Sequence, residues 1–450
     1  MRALIGPQDF SGTLRIPASK SHTIRRLLIA ALAGGVSEIE YPLDSLDARS
    51  CVSVCRALGA DIREHRAADS RCANPADSGG AKLVRWTVRG TGGPAAFPGR
   101  PHQAALDVGN SGTTLFLALA AAALFSFPVC FTGDGQIRRR SAAPLLSALA
   151  GLGVEVDSAS GCAPVTVRGP WRGGRVSLEC PTSQYLSALL LAAPLAPAGV
   201  LTEIEVPLLN ERPYVEMTLA CLRAQGIPLE AAEDLSFFRI PGGAAYKPLN
   251  GPVPGDFSSA AFPAAAAAIT GGSLVIQGLN PEDPQGDKAF FDMLIRMGCE
   301  VKWERAADWS LTVSRRGPLR GGTFDLNATP DLLPVMAVMG AYAEGKTLLV
   351  NAAHARIKET DRIAVMAEEL GKLGVPVEER PGGLVIHGTL KGTAADRPVR
   401  KLSGRGDHRV VMALAVAALG GAGPLEISGA ESAAVTYPGF LRLLNADIVA

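Results

Sequence analysis

SKSHTIRRLLIAALAGG, residues 19–35, is a polar cluster that runs into a nearly all-apolar helix pattern and ends on small residues. The same grammar returns in GNSGTTLFLALAAAALF (109–125), PTSQYLSALLLAAPLAPAG (181–199) and GDFSSAAFPAAAAAITGG (255–272). It returns again in NATPDLLPVMAVMGAYAEG (327–345) and GDHRVVMALAVAALGGAG (406–423). A recurrence of this kind, at roughly 70–95 residues, marks a repeated structural unit. A second pattern interleaves with it, an amphipathic helix closed by a small-residue turn and followed by a strand. It reads RALGADIR, SALAGLGVEV, CLRAQGIPLE, IRMGCEVKWE and EELGKLGVPVEE, with a degenerate LLNADIV at the end. Segments such as VTVRG, LTVSRR and LVIHG alternate at period two, which suits sheets with one wet face. Helices apolar all round must be enclosed by protein. Six units therefore predict an α/β chain of two domains, each with three buried helices inside sheets of their own repeats.

Composition agrees. The 450 residues exceed one ordinary core, and with 47% hydrophobic and 19% charged residues the chain is well buried rather than disordered. A net charge of +1 lacks the basic excess of a nucleic-acid binder. The cysteines at 51, 55, 72, 130, 162, 180, 221 and 299 show no metal-ligand spacing, so no metal site is expected, and Cys51 and Cys55 read as buried thiols one helical turn apart. Residues 1–12 lack the apolar stretch of a signal peptide, and the longest apolar run, 115–125, is too short to span a bilayer. A cytoplasmic protein without membrane contact is the expectation.

The polar clusters carry the functional signal. Each opens a buried helix, where unpaired N–H groups and the positive dipole end favour anions. Any one cluster could be plain capping, but several hold Lys, Arg, Gln or His that capping does not need. Lys20, Ser21 and Arg25 occupy the first turns of one helix and suit a phosphate or carboxylate. Asn110, Ser111 and Gly112 form a glycine-flanked turn where a ligand could approach the backbone. Arg138, Arg139 and Arg140 follow a strand-and-loop reading, and the first two could be a surface patch. The stretch 358–362, KETDR, is the densest charge cluster; its Lys358 and Arg362, four apart, are expected to stack on one helix face beside Glu359. Asp331 starts the fifth inner helix, and Asp407, His408 and Arg409 start the sixth.

Taken in order, SKSxTxR, GNSGT, TSQ, GDxSSA, PD, KETDR and GDHR resemble the 5-enolpyruvylshikimate-3-phosphate synthase family of enolpyruvyl transferases, from about residue 18 to 439. The resemblance implies two domains of three βαβαββ repeats with buried parallel helices. Residues 18–252 would form one domain, mainly for shikimate 3-phosphate. Residues 1–17 with 253–450 would form the other and carry the acid/base pair, with the active site in the cleft between them. It implies transfer of the enolpyruvyl group of phosphoenolpyruvate to the 5-hydroxyl of shikimate 3-phosphate, by addition and elimination, without cofactor and by a monomer. Lys20 would touch both substrates. Ser21, Arg25, Thr182, Ser183, Gln184 and Lys358 would hold shikimate 3-phosphate. Gly112, Arg140, Gln184, Arg362 and Arg409 would surround phosphoenolpyruvate. Asp331 would take the hydroxyl proton, Glu359 would protonate the methylene, and Asn110 and His408 would support. Three positions depart from the family pattern: Phe116 and Val435 stand where cations are usual, and Glu211 stands where a serine lines the shikimate side. A variant transferase for another cyclic alcohol, or a non-catalytic ligand-binding homologue, are the rival readings. The sister transferases for UDP-N-acetylglucosamine fit less well. They carry Lys-Asn at the position of Lys20-Ser21 and a reactive cysteine in the loop matching 133–140, which this chain lacks.

Overall fold

The computed structural model describes residues 1–68, 81–94, 104–306, 308–390 and 397–449. The six quoted segments are α-helices at Lys20–Leu32, Gly112–Ala122, Gln184–Ala192, Phe257–Thr270, Leu333–Tyr342 and His408–Leu419. Ala and Leu favour the helix backbone, and small side chains let neighbouring helices pack closely. Every residue from Leu333 to Ala341 and from His408 to Leu419 is buried. Each fully buried Leu, Val or Met there contributes about 1.5–3 kcal/mol relative to exposure. At Gly340 a Cβ would fall 2.9 Å from Thr347 Cβ, so this helix can lie against its strand only without a side chain there.

Six four-stranded sheets accompany the helices among the described residues, and all share one pattern: a parallel pair, then two antiparallel additions. In the second repeat Leu106–Asp107 pairs parallel with Val129–Thr132, which pairs antiparallel with Val165–Arg168, which pairs antiparallel with Glu155–Asp157. The chain order is strand, inner helix, strand, amphipathic helix, strand, strand, the βαβαββ unit expected. Three units are completed from elsewhere in the chain. Asn250–Pro252 supplies the first strand of repeat one, Gly12–Arg15 that of repeat four, and Arg2–Ile5 a strand of repeat six.

Two compact units result: Lys20–Ala67 with Ala81–Val253, and Met1–Ser19 with Pro254–Ala450. Within the first, the helix Gly112–Ala122 packs on both Lys20–Leu32 and Gln184–Ala192. Within the second, Phe257–Thr270, Leu333–Tyr342 and His408–Leu419 pack on one another in a continuous core. One strand departs from the alternation read in the sequence. Gly383–His387 is buried from Gly383 through Ile386, whereas Val165–Arg168 alternates as expected. Cys51, Cys55, Cys180 and Cys299 are buried, and the Cys51 and Cys55 sulfurs lie 4.0 Å apart; Cys72 is outside the described residues.

Candidate active site

In the unit of residues 20–253, Lys20 opens its helix and places Nζ 3.1 Å from Asp47 Oδ2. Both side chains are largely covered, at 14% and 4% exposure. Asp47 sits in the first turn of Leu46–Ala57, where its charge also suits the helix dipole. Arg25, one turn on from Ser21, is buried and donates to four neutral acceptors. They are Thr218 Oγ1 (2.8 Å), the Ser21 carbonyl (3.2 Å), Ser187 Oγ (3.3 Å) and the Tyr214 carbonyl (3.1 Å). Burial lowers its proton affinity, but a guanidinium stays charged, so its positive charge is hydrogen-bonded without a carboxylate among these acceptors.

The glycine turn is built as read. Ser111 caps Gly112–Ala122 by accepting from Thr114 N. A Cβ on Gly112 would fall on the Arg140 guanidinium and 3.7 Å from Gln184 Oε1, so the bare backbone brings these three residues together. Asn110 holds the facing loop, donating to Asp134 Oδ2 (2.7 Å) and Gln136 Oε1 (2.8 Å). Arg138 and Arg139 are exposed, while Arg140 follows the turn Ile137–Arg139 and is half-buried. Gln184 Nε2 donates to Thr182 Oγ1 at 3.2 Å. Phe116 is buried, its ring edge-on to Tyr185 at 5.0 Å, and adds no charge at that position.

The unit with residues 254–450 is organised around one guanidinium. Arg362, 1% exposed, donates Nε to Asp407 Oδ2 (2.7 Å), Nη1 to Asp331 Oδ1 (2.7 Å) and Nη2 to Glu359 Oε2 (2.6 Å). Arg409 Nη2 reaches the other Asp331 oxygen at 2.7 Å. Asp407 caps the sixth inner helix, accepting from Arg409 N (2.9 Å) and Val410 N (3.4 Å), and also accepts from Thr360 Oγ1 (3.2 Å). His408 is buried beside it. Burial raises the proton affinity of Asp331, but Arg409, Arg362 and Lys358 outweigh it and hold the carboxyl well below the usual range. For Arg362 burial again opposes the charge, and Asp407, Glu359 and Asp331 reverse the balance and push it up.

One expectation fails here. Lys358 and Arg362 do not share a helix face, because the helix begins only at Arg362. Asp361 is the cap, accepting from Ala364 N (3.0 Å) and pairing with Arg356 at 2.6 Å, so residues 358–361 are an irregular link after the turn Ala353–Ile357. That link turns Glu359 onto the guanidinium three residues ahead. Val435 ends the turn Ala430–Val435 and is half-buried.

Sequence reasoning passed over Asp47 as the partner of Lys20, Asp407 as a ligand of Arg362, and the part Glu211 plays. Glu211 is buried and gathers Thr182 and Ser183. Asp407 carried a visible signal as a cap, whereas Asp47 lies on another helix and carried none.

The comparisons with known proteins agree with one another. A family model described as EPSP synthase (3-phosphoshikimate 1-carboxyvinyltransferase) matches residues 4–444. The 3-phosphoshikimate 1-carboxyvinyltransferase of Acetivibrio thermocellus is 47% identical over 439 residues, covering 97% of this chain and 95% of that protein. That of Halobacterium salinarum is 40% identical over 456 residues, covering 99% and 98%. The solved EPSP synthase from Acinetobacter baumannii superposes with a TM-score of 0.78 at 26% identity, covering 99% and 97%.

Proposed function

The chain belongs to the EPSP synthase family, and from that premise we propose how its two residue sets divide the chemistry. The enzyme transfers the enolpyruvyl group of phosphoenolpyruvate to the 5-hydroxyl of shikimate 3-phosphate and releases phosphate, a step of aromatic amino-acid biosynthesis. In our reading Lys20, Ser21, Arg25, Thr182, Ser183 and Gln184, with Lys358, hold shikimate 3-phosphate. Gly112, Arg140, Arg362 and Arg409, with Lys20 and Gln184, receive phosphoenolpyruvate. Asp331 is the base for the hydroxyl and Glu359 the acid for the methylene carbon. Both sets serve one substrate pair.

The observation that supports this most is the shared guanidinium: Arg362 bonds both Asp331 and Glu359. In the free enzyme that arrangement makes Asp331 a poor base. The carboxylate and phosphate of phosphoenolpyruvate draw on the charges of Arg362 and Arg409, and the proton affinity of Asp331 rises towards the working range. The hydroxyl oxygen then bonds to C2 of phosphoenolpyruvate as Asp331 takes its proton, while Glu359 delivers a proton to C3. In the elimination Glu359 takes back a proton from the new methyl group, the bond from C2 to the phosphate oxygen breaks, and Asp331 returns its proton to the departing phosphate. Guanidinium groups already in place stabilise the developing charge without reorganising.

A monomer as the acting species belongs to the same proposal, and sedimentation reads it directly. No helix among the described residues is long and apolar enough to cross a membrane, and a cytoplasmic location belongs to the same reading. The assignments are tested by phosphate release with both natural substrates. Lys20→Ala is expected to abolish turnover, since one cation serves both; near-normal turnover overturns them.

A further inference from the structure

Glu211 is a buried carboxylate in an unusual backbone state. It has φ 57° and ψ 40°, the left-handed region that a residue with a Cβ enters at a cost, and it immediately precedes the helix Arg212–Ala224. Its Oε2 atom accepts from three donors of the 182–183 turn: Thr182 Oγ1 (3.1 Å), Ser183 N (3.1 Å) and Ser183 Oγ (2.8 Å). These donors stand at the start of the helix Gln184–Ala192, where no side chain caps the backbone in the usual way. Two hydroxyls and an amide converging on one oxygen at a helix N-terminus are the donor set that grips an oxygen of a phosphate.

We propose that Glu211 is a specificity-determining residue, an internal anion that occupies the donors of Thr182 and Ser183 and that the phosphate of the substrate must displace. The proposal rests on the reading that Thr182 and Ser183 hold shikimate 3-phosphate. Each hydroxyl has a single hydrogen to give, and in this structure both go to Glu211. Thr182 Oγ1 also accepts from Gln184 Nε2, so its orientation is held from two sides. A phosphate oxygen needs those same hydrogens, and it carries the same sign of charge as the carboxylate. Glu211 therefore weakens binding of the phosphorylated substrate selectively. It acts on neither phosphoenolpyruvate nor the ring hydroxyls of shikimate.

The test is the KM for shikimate 3-phosphate in Glu211→Gln, read beside the KM for phosphoenolpyruvate, kcat, and the dissociation constant of unphosphorylated shikimate. Removing the charge is expected to lower the KM for shikimate 3-phosphate roughly tenfold. The KM for phosphoenolpyruvate and the affinity for shikimate should stay put. Glu211→Asp, which withdraws the carboxylate by one methylene, is expected to give a smaller shift of the same sign and serves if the Gln variant does not fold. A KM for shikimate 3-phosphate that is unchanged or raised in the folded variants overturns the competition and leaves Glu211 as a support for the turn. The double variant Thr182→Ala with Ser183→Ala separates the two readings. Its KM for shikimate 3-phosphate should rise, and an unchanged value would sink the site assignment itself.

Discussion

Arg25 and Arg362 are both buried guanidinium groups at the starts of helices, yet their surroundings are opposite. Arg25 donates to two hydroxyls and two carbonyls. Arg362 donates to three carboxylates. The first has no carboxylate among these acceptors. The second has its charge spent on Asp331, Glu359 and Asp407, and in return holds those groups in place, with the Asp331 carboxyl kept well below the usual range. In the proposed reading the difference separates recognition from proton chemistry: Arg25 serves attraction, while Arg362 is the common anchor of the acid and the base.

Removing the anchor should do the most damage. Arg362→Ala leaves the buried Asp407 and the partly covered Asp331 and Glu359 without it, a kind of loss that costs about 3–5 kcal/mol. It is expected to abolish turnover and to lower the denaturation midpoint clearly. A folded, active variant would break the comparison at its stronger end. Arg25→Met should cost less stability, because Thr218 Oγ1 already donates to Ser187 Oγ at 3.0 Å and no carboxylate is stranded among its acceptors. The expected signature is a rise in the KM for shikimate 3-phosphate with a smaller change in kcat, read by steady-state kinetics. Equal losses of stability in the two variants would erase the contrast.

The smallest effect concerns Asp287, a buried neighbour of the Arg362 cluster that accepts from the Ser258 hydroxyl. Burial, and then the Asp331 and Asp256 carboxylates, push its carboxyl up to about 6 against the pull of Arg409. Its folded-state value lies above the unfolded one. Below about pH 4 both states hold the proton and Asp287 contributes nothing to pH dependence. As pH rises from about 4 to about 6 the unfolded chain ionises first, so stability falls through that window. Asp287→Asn should remove the fall, worth about 1–3 kcal/mol at neutral pH. Denaturant melts at pH 4.5 and 7 compare the two proteins, and an unaltered pH slope would show that Asp287 is not a penalty.

How much of this was legible in the sequence follows from the range of the interactions involved. Six helices and their strands could be read because each repeat writes its own polar start, apolar run and small-residue exit within some twenty residues. The site motifs could be located for the same reason, since caps and first turns are local. Partners were not legible. Lys20 meets Asp47, and Arg362 meets Asp407, only after separate helices have packed. The 358–362 stretch was misread because charge spacing alone does not show where a helix begins; Asp361, as cap, starts it at Arg362. Glu211 looked out of place beside an anion, and its backbone state and three donors became visible only in three dimensions.

The borrowed strands have a bearing on how the polypeptide is made. Arg2–Ile5 leaves the ribosome long before its two sheet neighbours, Leu425–Ser428 and Asp447–Val449. Residues 20–253 can complete their sheets as soon as Asn250–Pro252 is out. Gly12–Arg15 waits for Ser273–Gln277, and Arg2–Ile5 keeps its pairing edges unmatched until Leu425–Ser428 and Asp447–Val449 have been made. Synthesis therefore imposes an order in which one unit closes on strands made long before their partners.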